Sequence, residues 1–265
     1  MLLSVQHHLA AGGHVWLGLD YDGTLAPISL ESGQAKPDPS LCSLLTGLAE
    51  NPLLRIAIVS GRPLSFLRAV LPVSGLTLAG VYGLEVQMPG GERLLRVESN
   101  LLRPQLRMIK SDWSLLFQGH PGYWVEDKEL ALALHADSAD PAETALLLST
   151  AISMATDRPS PVPLRVYEGD RYLEVAPAAA HKGQTVQWLL DQDWSHEALP
   201  VYVGDDARDE EAFEVIRRRG GIPILVGKGS GSTRALARLG SCEAVRTWLE
   251  ILSEAASRRR RSPTS

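Results

Sequence analysis

The chain has 265 residues, enough for one large domain or two modest ones. It is 45% hydrophobic and 22% charged, an ordinary globular balance, and its net charge of −5 offers no basic field for nucleic acid. No apolar run reaches the roughly 18 residues that a membrane helix needs, and residues 1–13 carry no Lys or Arg, unlike a signal peptide. Neither a nucleic acid nor a membrane is therefore expected as a partner. Cys42 and Cys242 lie far apart and fit reduced thiols, so a cytoplasmic location is expected. His7 and His8 read as helix-surface residues rather than ligands.

In chain order, residues 15–19 read as a buried parallel strand, followed by Asp20-Tyr21-Asp22-Gly23-Thr24. Residues 39–50 form an amphipathic helix. Residues 54–59 form a second buried strand that ends at Ser60-Gly61-Arg62-Pro63, and Pro63 suits the first turn of a helix running to about residue 70. A third strand is expected over 76–81. Pro89-Gly90-Gly91 then reads as a hairpin turn between 84–87 and 93–96.

The pattern changes near residue 100. A helix over 101–117 precedes paired strands over 123–128 and 131–135. A helix over 141–156, capped by Asp140, precedes a hairpin of 164–168 and 172–175 across Gly169-Asp170. Residues 101–176 are therefore expected to form an inserted α+β domain between two parts of a core, 1–100 and 177–265.

The α/β alternation resumes with Lys182-Gly183 opening a helix over 184–190. A strand over 199–203 ends at Gly204-Asp205-Asp206. A helix over 210–219, a strand over 222–226 and a closing helix over 244–256 follow. Gly227-Lys228-Gly229-Ser230-Gly231-Ser232 lacks the spacing of a phosphate-binding P-loop and reads as a surface turn. Residues 257–265, with Arg258 to Arg261, read as a disordered, solvated tail. The expected fold class is α/β.

Asp-Gly is a common turn signal, so Asp20-x-Asp22-Gly23 alone reads as a turn. A calcium loop is also conceivable, with Glu31 at the twelfth position from Asp20, but Leu25 and Pro27 stand where that loop needs glycine and an oxygen ligand. The remaining strand ends decide between readings. Ser60 follows the second strand, Lys182 opens a helix, and Asp205, Asp206 and Asp209 follow a later strand. In open α/β sheets ligands bind at such carboxyl ends. Each residue alone has a plain structural role; together they suit hydrolysis of a phosphomonoester. Magnesium held by Asp20, Asp22 and Asp205 would screen phosphate from an acidic nucleophile. Ser60 and Lys182 would hold phosphate oxygens, Asp20 would attack, and Asp22 would protonate the leaving alcohol and then activate water.

Asp20-Tyr21-Asp22-Gly23-Thr24, Ser60-Gly61-Arg62, Lys182 and Gly204-Asp205-Asp206-Ala207-Arg208-Asp209-Glu210 resemble the four motifs of the haloacid dehalogenase superfamily. Within it, the motifs are most similar to those of the trehalose-6-phosphate phosphatase family, and the likeness covers nearly the whole chain. The resemblance implies a Rossmann-like parallel-sheet core, a cap domain that closes over substrate, and dependence on Mg2+. It implies Asp20 as nucleophile, Asp22 as acid/base and as a metal ligand through its carbonyl, and Asp205 completing the metal site. Asp206 and Asp209 would support the metal, with Asp209 also orienting Lys182. Gly61 and Arg62 would join Ser60 in binding substrate, and Glu126, Lys128, His135 and Glu174 of the insert would contact the sugar.

The sequence departs from that family's pattern on the sugar side. Gly80-Val81-Tyr82-Gly83 stands for Gly-x-His-Gly, His135-Ala136-Asp137 for His-Tyr-Arg, Ala176-Pro177 for Arg-Pro, and Arg208 for Thr in the last motif. Lost Arg and His donors alter hydroxyl recognition. Three readings thus stand: a trehalose-6-phosphate phosphatase, a relative acting on glucosylglycerol or sucrose phosphate, or a non-catalytic sugar-phosphate binder. The expected partner is a small-molecule sugar phosphate, and the chain is expected to be a monomer.

Overall fold

A computed structural model describes residues 1–28, 36–192, 197–228 and 232–258. The chain divides into two units, Met1–Leu94 with His181–Ser265, and Leu95–Ala180.

Apolar strands buried along most of their length organise the first unit. Its eight-stranded sheet has the order β12-β11-β10-β1-β2-β3-β4-β5. These are β1 Val15–Leu19, β2 Leu54–Val59, β3 Thr77–Gly80, β4 Glu85–Gln87, β5 Arg93–Leu95, β10 Leu199–Gly204, β11 Ile222–Val226 and β12 Ala237–Leu239. The run from β12 to β3 is parallel and β4 is antiparallel to β3. Side chains alternate between two cores, as the two-residue strand period requires. Leu17, Leu19, Ile56, Ile58, Val201 and Val203 meet α1 (Leu2–Ala10), α2 (Pro39–Ala49), α3 (Leu64–Val70) and α8 (Cys242–Arg258) on one face. Trp16, Ala57, Val59 and Tyr202 meet α6 (Lys182–Leu190) and α7 (Asp209–Arg218) on the other. From β1 the chain winds outward through β2 and β3, then in the opposite direction through β10, β11 and β12. The switch of direction lies between β1 and β10, which is where ligands bind in such sheets.

The second unit has a four-stranded antiparallel sheet of order β6-β7-β9-β8. Its strands are β6 Trp124–Asp127, β7 Leu132–His135, β8 Leu164–Gly169 and β9 Tyr172–Pro177. The helices α4 (Ser99–Leu116) and α5 (Pro141–Thr156) pack together, with Trp113 Nε1 donating to Ala151 O at 2.9 Å. The register Trp124↔His135, His135↔Tyr172 and Tyr167↔Glu174 puts these residues and Glu126 on one sheet face.

Several boundaries differ from expectation. The second unit spans Leu95–Ala180 rather than 101–176, because β9 runs on to Pro177 and Tyr167 Oη donates to Ala180 O at 2.6 Å. β3 stops at Gly80, since Val81 and Tyr82 turn into positive φ. α8 continues to Arg258, so residues 257 and 258 are helical and not tail. The rest of the expected tail, Glu31, and Gly229 to Gly231 lie outside the described residues. β12 is too short and too polar to stand out in the sequence. Among the described residues no helix is long and apolar enough to cross a membrane.

Candidate active site

The turn after β1 is tight. Tyr21 O accepts from Leu25 N at 2.9 Å and Ala26 N at 3.0 Å, and Gly23 N donates to Ala26 O at 2.7 Å. Gly23 sits at φ 74°, and a Cβ there would lie 2.1 Å from Asp205 Oδ2. Only glycine lets the loops after β1 and β10 approach this closely. Asp20 stays in sheet register, its N–H donating to Val203 O at 2.9 Å, and its buried carboxylate points to the lysine that opens α6.

That lysine is the hub. Lys182 Nζ lies 2.9 Å from Asp20 Oδ1 and 2.6 Å from Asp209 Oδ1, and all three residues are buried. Asp209 has four donors: Lys182 Nζ, Tyr202 Oη at 2.9 Å, and the backbone N–H groups of Asp205 at 3.0 Å and Asp206 at 3.1 Å. Its oxygens are thus committed to shaping the loop. Asp206 Oδ1 in turn accepts from Arg208 N at 2.9 Å and Asp209 N at 3.1 Å, satisfying donors at the start of α7.

Burial pushes the Asp20 carboxyl up to about 7, with Asp205 and Asp206 adding to the rise and Lys182 opposing it. Asp205 rises to about 6 through burial and the charges of Asp209 and Asp206. Burial alone would lower Lys182, but Asp20 and Asp209 hold it well above the ordinary range, so it stays an ammonium. Among the described residues, Asp20, Asp205 and Asp209 each bring a carboxylate oxygen within 4.8 Å of the others.

Ser60 directly follows β2 and is buried, its Oγ accepting from Arg62 N at 3.1 Å. Arg62, expected to bind substrate, is paired with Asp22. Its Nε and Nη2 each donate to the Asp22 carboxylate at 2.8 Å, and its guanidinium lies 4.9 Å from the Phe66 ring centroid. The Asp22 carboxylate is therefore turned to Arg62 and stands outside the acidic cluster. Gly61, next to Ser60, lies against the Tyr82 ring.

In the second unit, His135 Nε2 lies 3.1 Å from Glu126 Oε2, and its ring stacks on Trp124 at 3.8 Å. Lys128 Nζ donates to Glu174 Oε2 at 3.1 Å and to Tyr172 Oη at 3.3 Å. The four residues expected to contact the sugar thus form two polar pairs, His135 with Glu126 and Lys128 with Glu174.

Sequence reasoning missed Tyr202 and the hydrogen bond that the Arg208 guanidinium donates to the Tyr82 hydroxyl. A tyrosine hydroxyl inside a buried strand demands a partner, which was the available signal for Tyr202. No sequence signal links positions 82 and 208.

The model of the trehalose-phosphatase family matches residues 18–240. The trehalose-phosphate phosphatase B of Arabidopsis thaliana is 32% identical over 258 residues, covering 92% of this chain and 68% of that protein. The trehalose-6-phosphate phosphatase of Escherichia coli (strain K12) is 28% identical over 254 residues, covering 95% of this chain and 91% of that protein. In fold, the solved C-terminal domain of C. albicans trehalose-6-phosphate phosphatase superposes with a TM-score of 0.80 at 23% identity, over 96% of each chain. With the family match spanning most of its length, the chain belongs to the trehalose-phosphatase family and is a phosphomonoester hydrolase.

Proposed function

We propose that the chain hydrolyses trehalose 6-phosphate to trehalose and phosphate through a phosphorylated Asp20. The observation that supports this most is the Lys182 ammonium fixed between Asp20 and Asp209 at the sheet's switch point. Asp20 attacks phosphorus, forming the Asp20 O–P bond as the P–O bond to the sugar breaks. Asp22, with one oxygen freed from Arg62 and protonated, gives that proton to the departing sugar oxygen. Asp22, now a carboxylate, takes a proton from water, whose oxygen displaces Asp20 and releases phosphate. Lys182 and Ser60 hold phosphate oxygens, which keeps the phosphorus in line.

The donor set fits a hard divalent cation. It is all oxygen, and the crowded acids Asp20 and Asp205 are both raised toward neutrality. Asp20 and Asp205, with the main-chain carbonyl of Asp22, are the groups we assign to hold Mg2+. Asp209 supports them through the amides of Asp205 and Asp206. When bound, the cation neutralises charge on the phosphate and keeps the carboxylates ionised. Sugar discrimination is assigned to Glu126, Lys128, His135 and Glu174, because the core groups recognise only what every phosphomonoester offers. The protein is proposed to act as a cytoplasmic monomer.

Phosphate release from trehalose 6-phosphate, sucrose 6-phosphate and glucosylglycerol phosphate tests the substrate. Efficiency is expected to be highest on trehalose 6-phosphate, to vanish on chelation of divalent cations, and to vanish in Asp20→Asn. A preference for either other substrate overturns the sugar assignment, and activity surviving in Asp20→Asn reassigns the nucleophile.

A further inference from the structure

β3 leaves the sheet through a single tight turn, Val81–Gly83, in which Val81 (φ 46°) and Tyr82 (φ 56°) are both left-handed. That conformation is costly for a side chain, most of all for β-branched Val81, and persists only where its surroundings dictate it. Three bonds dictate it here. Tyr82 N donates to Ser60 O at 2.8 Å, Val81 N to Arg62 O at 2.9 Å, and Thr185 Oγ1 to Tyr82 O at 2.8 Å. The turn is thus strapped to the loop that carries Ser60 and to helix α6, which carries Lys182.

The Tyr82 ring is directed by the same turn. A Cβ built on Gly61 would lie 2.6 Å from Tyr82 Oη and 2.7 Å from its Cζ, so the ring end rests directly on the Gly61 backbone. Its hydroxyl accepts a hydrogen bond from Arg208 Nη1, and the guanidinium carbon is 5.1 Å from the ring centroid. Arg208 is anchored in the loop after β10, its N–H donating to Asp206 Oδ1 at 2.9 Å. The next residue, Asp209, holds the amides of Asp205 and Asp206 and the Lys182 ammonium. One tyrosine therefore joins the loops after β2 and β3 to the loop after β10.

We propose that Tyr82 and Arg208 are one positioning pair, which fixes the Ser60–Gly61 backbone against the Asp205–Asp209 loop and so sets the width of the phosphate site. The assignment rests on the phosphatase reading above. Neither residue is given a chemical step. Their contribution is to hold the Ser60 and Lys182 sides of the site at a fixed separation, and it depends on the bond between them.

Calorimetric titration of the full chain with orthophosphate in the presence of Mg2+ tests the pair, alongside kcat and KM on trehalose 6-phosphate. Tyr82→Phe removes one oxygen and leaves the ring on Gly61, so its melting temperature is expected to stay within roughly 2 °C of the wild type. Tyr82→Phe and Arg208→Gln are each expected to weaken orthophosphate binding and raise KM by about threefold to tenfold. The double variant is expected to be no weaker than the poorer single one, since both break the same bond. Arg208→Lys keeps the charge but not the planar fork and is expected to recover part of the loss. Losses that add in the double variant overturn the pair, and unchanged orthophosphate binding in Tyr82→Phe overturns it even if Arg208→Gln fails to fold. A wild type that binds orthophosphate but hydrolyses nothing overturns the phosphatase reading alone. A wild type that neither binds orthophosphate nor hydrolyses trehalose 6-phosphate overturns both.

Discussion

Arg62 grips Asp22 in a two-pronged pair, Nε to Oδ2 and Nη2 to Oδ1, both at 2.8 Å, with the Phe66 ring centroid 4.9 Å from the guanidinium carbon. The fork fixes both the direction and the rotation of the carboxylate, which a point charge does not. Arg62→Lys is therefore expected to leave the fold intact but to lower kcat on trehalose 6-phosphate by roughly tenfold to a hundredfold, the effect of an acid displaced by about an ångström. Steady-state kinetics with a melting curve check this, and an unchanged kcat returns Arg62 to substrate binding or to surface structure.

Lys182 sits among buried carboxylates whose charges it balances. Lys182→Met keeps the bulk and removes the ammonium, leaving Asp20 and Asp209 facing each other without a cation. Breaking a buried pair from one side costs on the order of 3–5 kcal/mol. A clear fall in melting temperature is expected, together with loss of turnover. A variant that melts like the wild type would show that Lys182 does not balance these acids.

Glu174 is fully buried and accepts from Lys128 at 3.1 Å as well as from Tyr172. Glu174→Gln preserves shape but weakens a charge-assisted bond. If this pair faces the sugar, efficiency on trehalose 6-phosphate falls about tenfold to a hundredfold, while a small aryl phosphate is hydrolysed almost normally. Equal losses on both substrates would assign Glu174 to folding.

Asp38 tests stability far from the chemistry. Its carboxylate caps α2 through Ser40 N at 2.9 Å and Leu41 N at 3.2 Å and binds Arg246 of α8. The bond from Arg246, then that from Leu41, lowers its pKa to about 2. Its contribution is thus present above the ordinary carboxylate pKa near 3.9 and is lost as pH falls toward about 2. Asp38→Ala is expected to cost roughly 1 kcal/mol at neutral pH, a few degrees of melting temperature, and less below about pH 3. An equal loss at both pH values would exclude the carboxylate charge as its origin.

Much of this was legible in the sequence because buried parallel strands are continuous apolar runs. β1, β2 and β11 were expected at their observed limits, and α5 announced itself through Asp140 and Pro141. Motif spacing placed Asp20, Ser60, Lys182 and Asp205 at one sheet edge. What stayed illegible is contact between side chains distant in sequence. No pattern shows that Arg62 takes the Asp22 carboxylate or that Asp209 accepts four bonds, because these depend on how loops from four strands converge. β12 escaped because three residues carry too little periodicity.

The site lies between β1 and β10, whose register joins Val15 to Leu199. During synthesis β1 therefore leaves the ribosome long before its partner exists. Until β10 arrives, β1 is an edge strand with a fully apolar face and unpaired backbone groups, a template for wrong pairing. Closing this parallel pair across most of the chain is slow by topology. A nascent chain ending before β10 has Asp20 in place but none of the Asp205–Asp209 loop. Catalytic competence is thus among the last properties this polypeptide acquires, and the interval before it is when chaperones matter most.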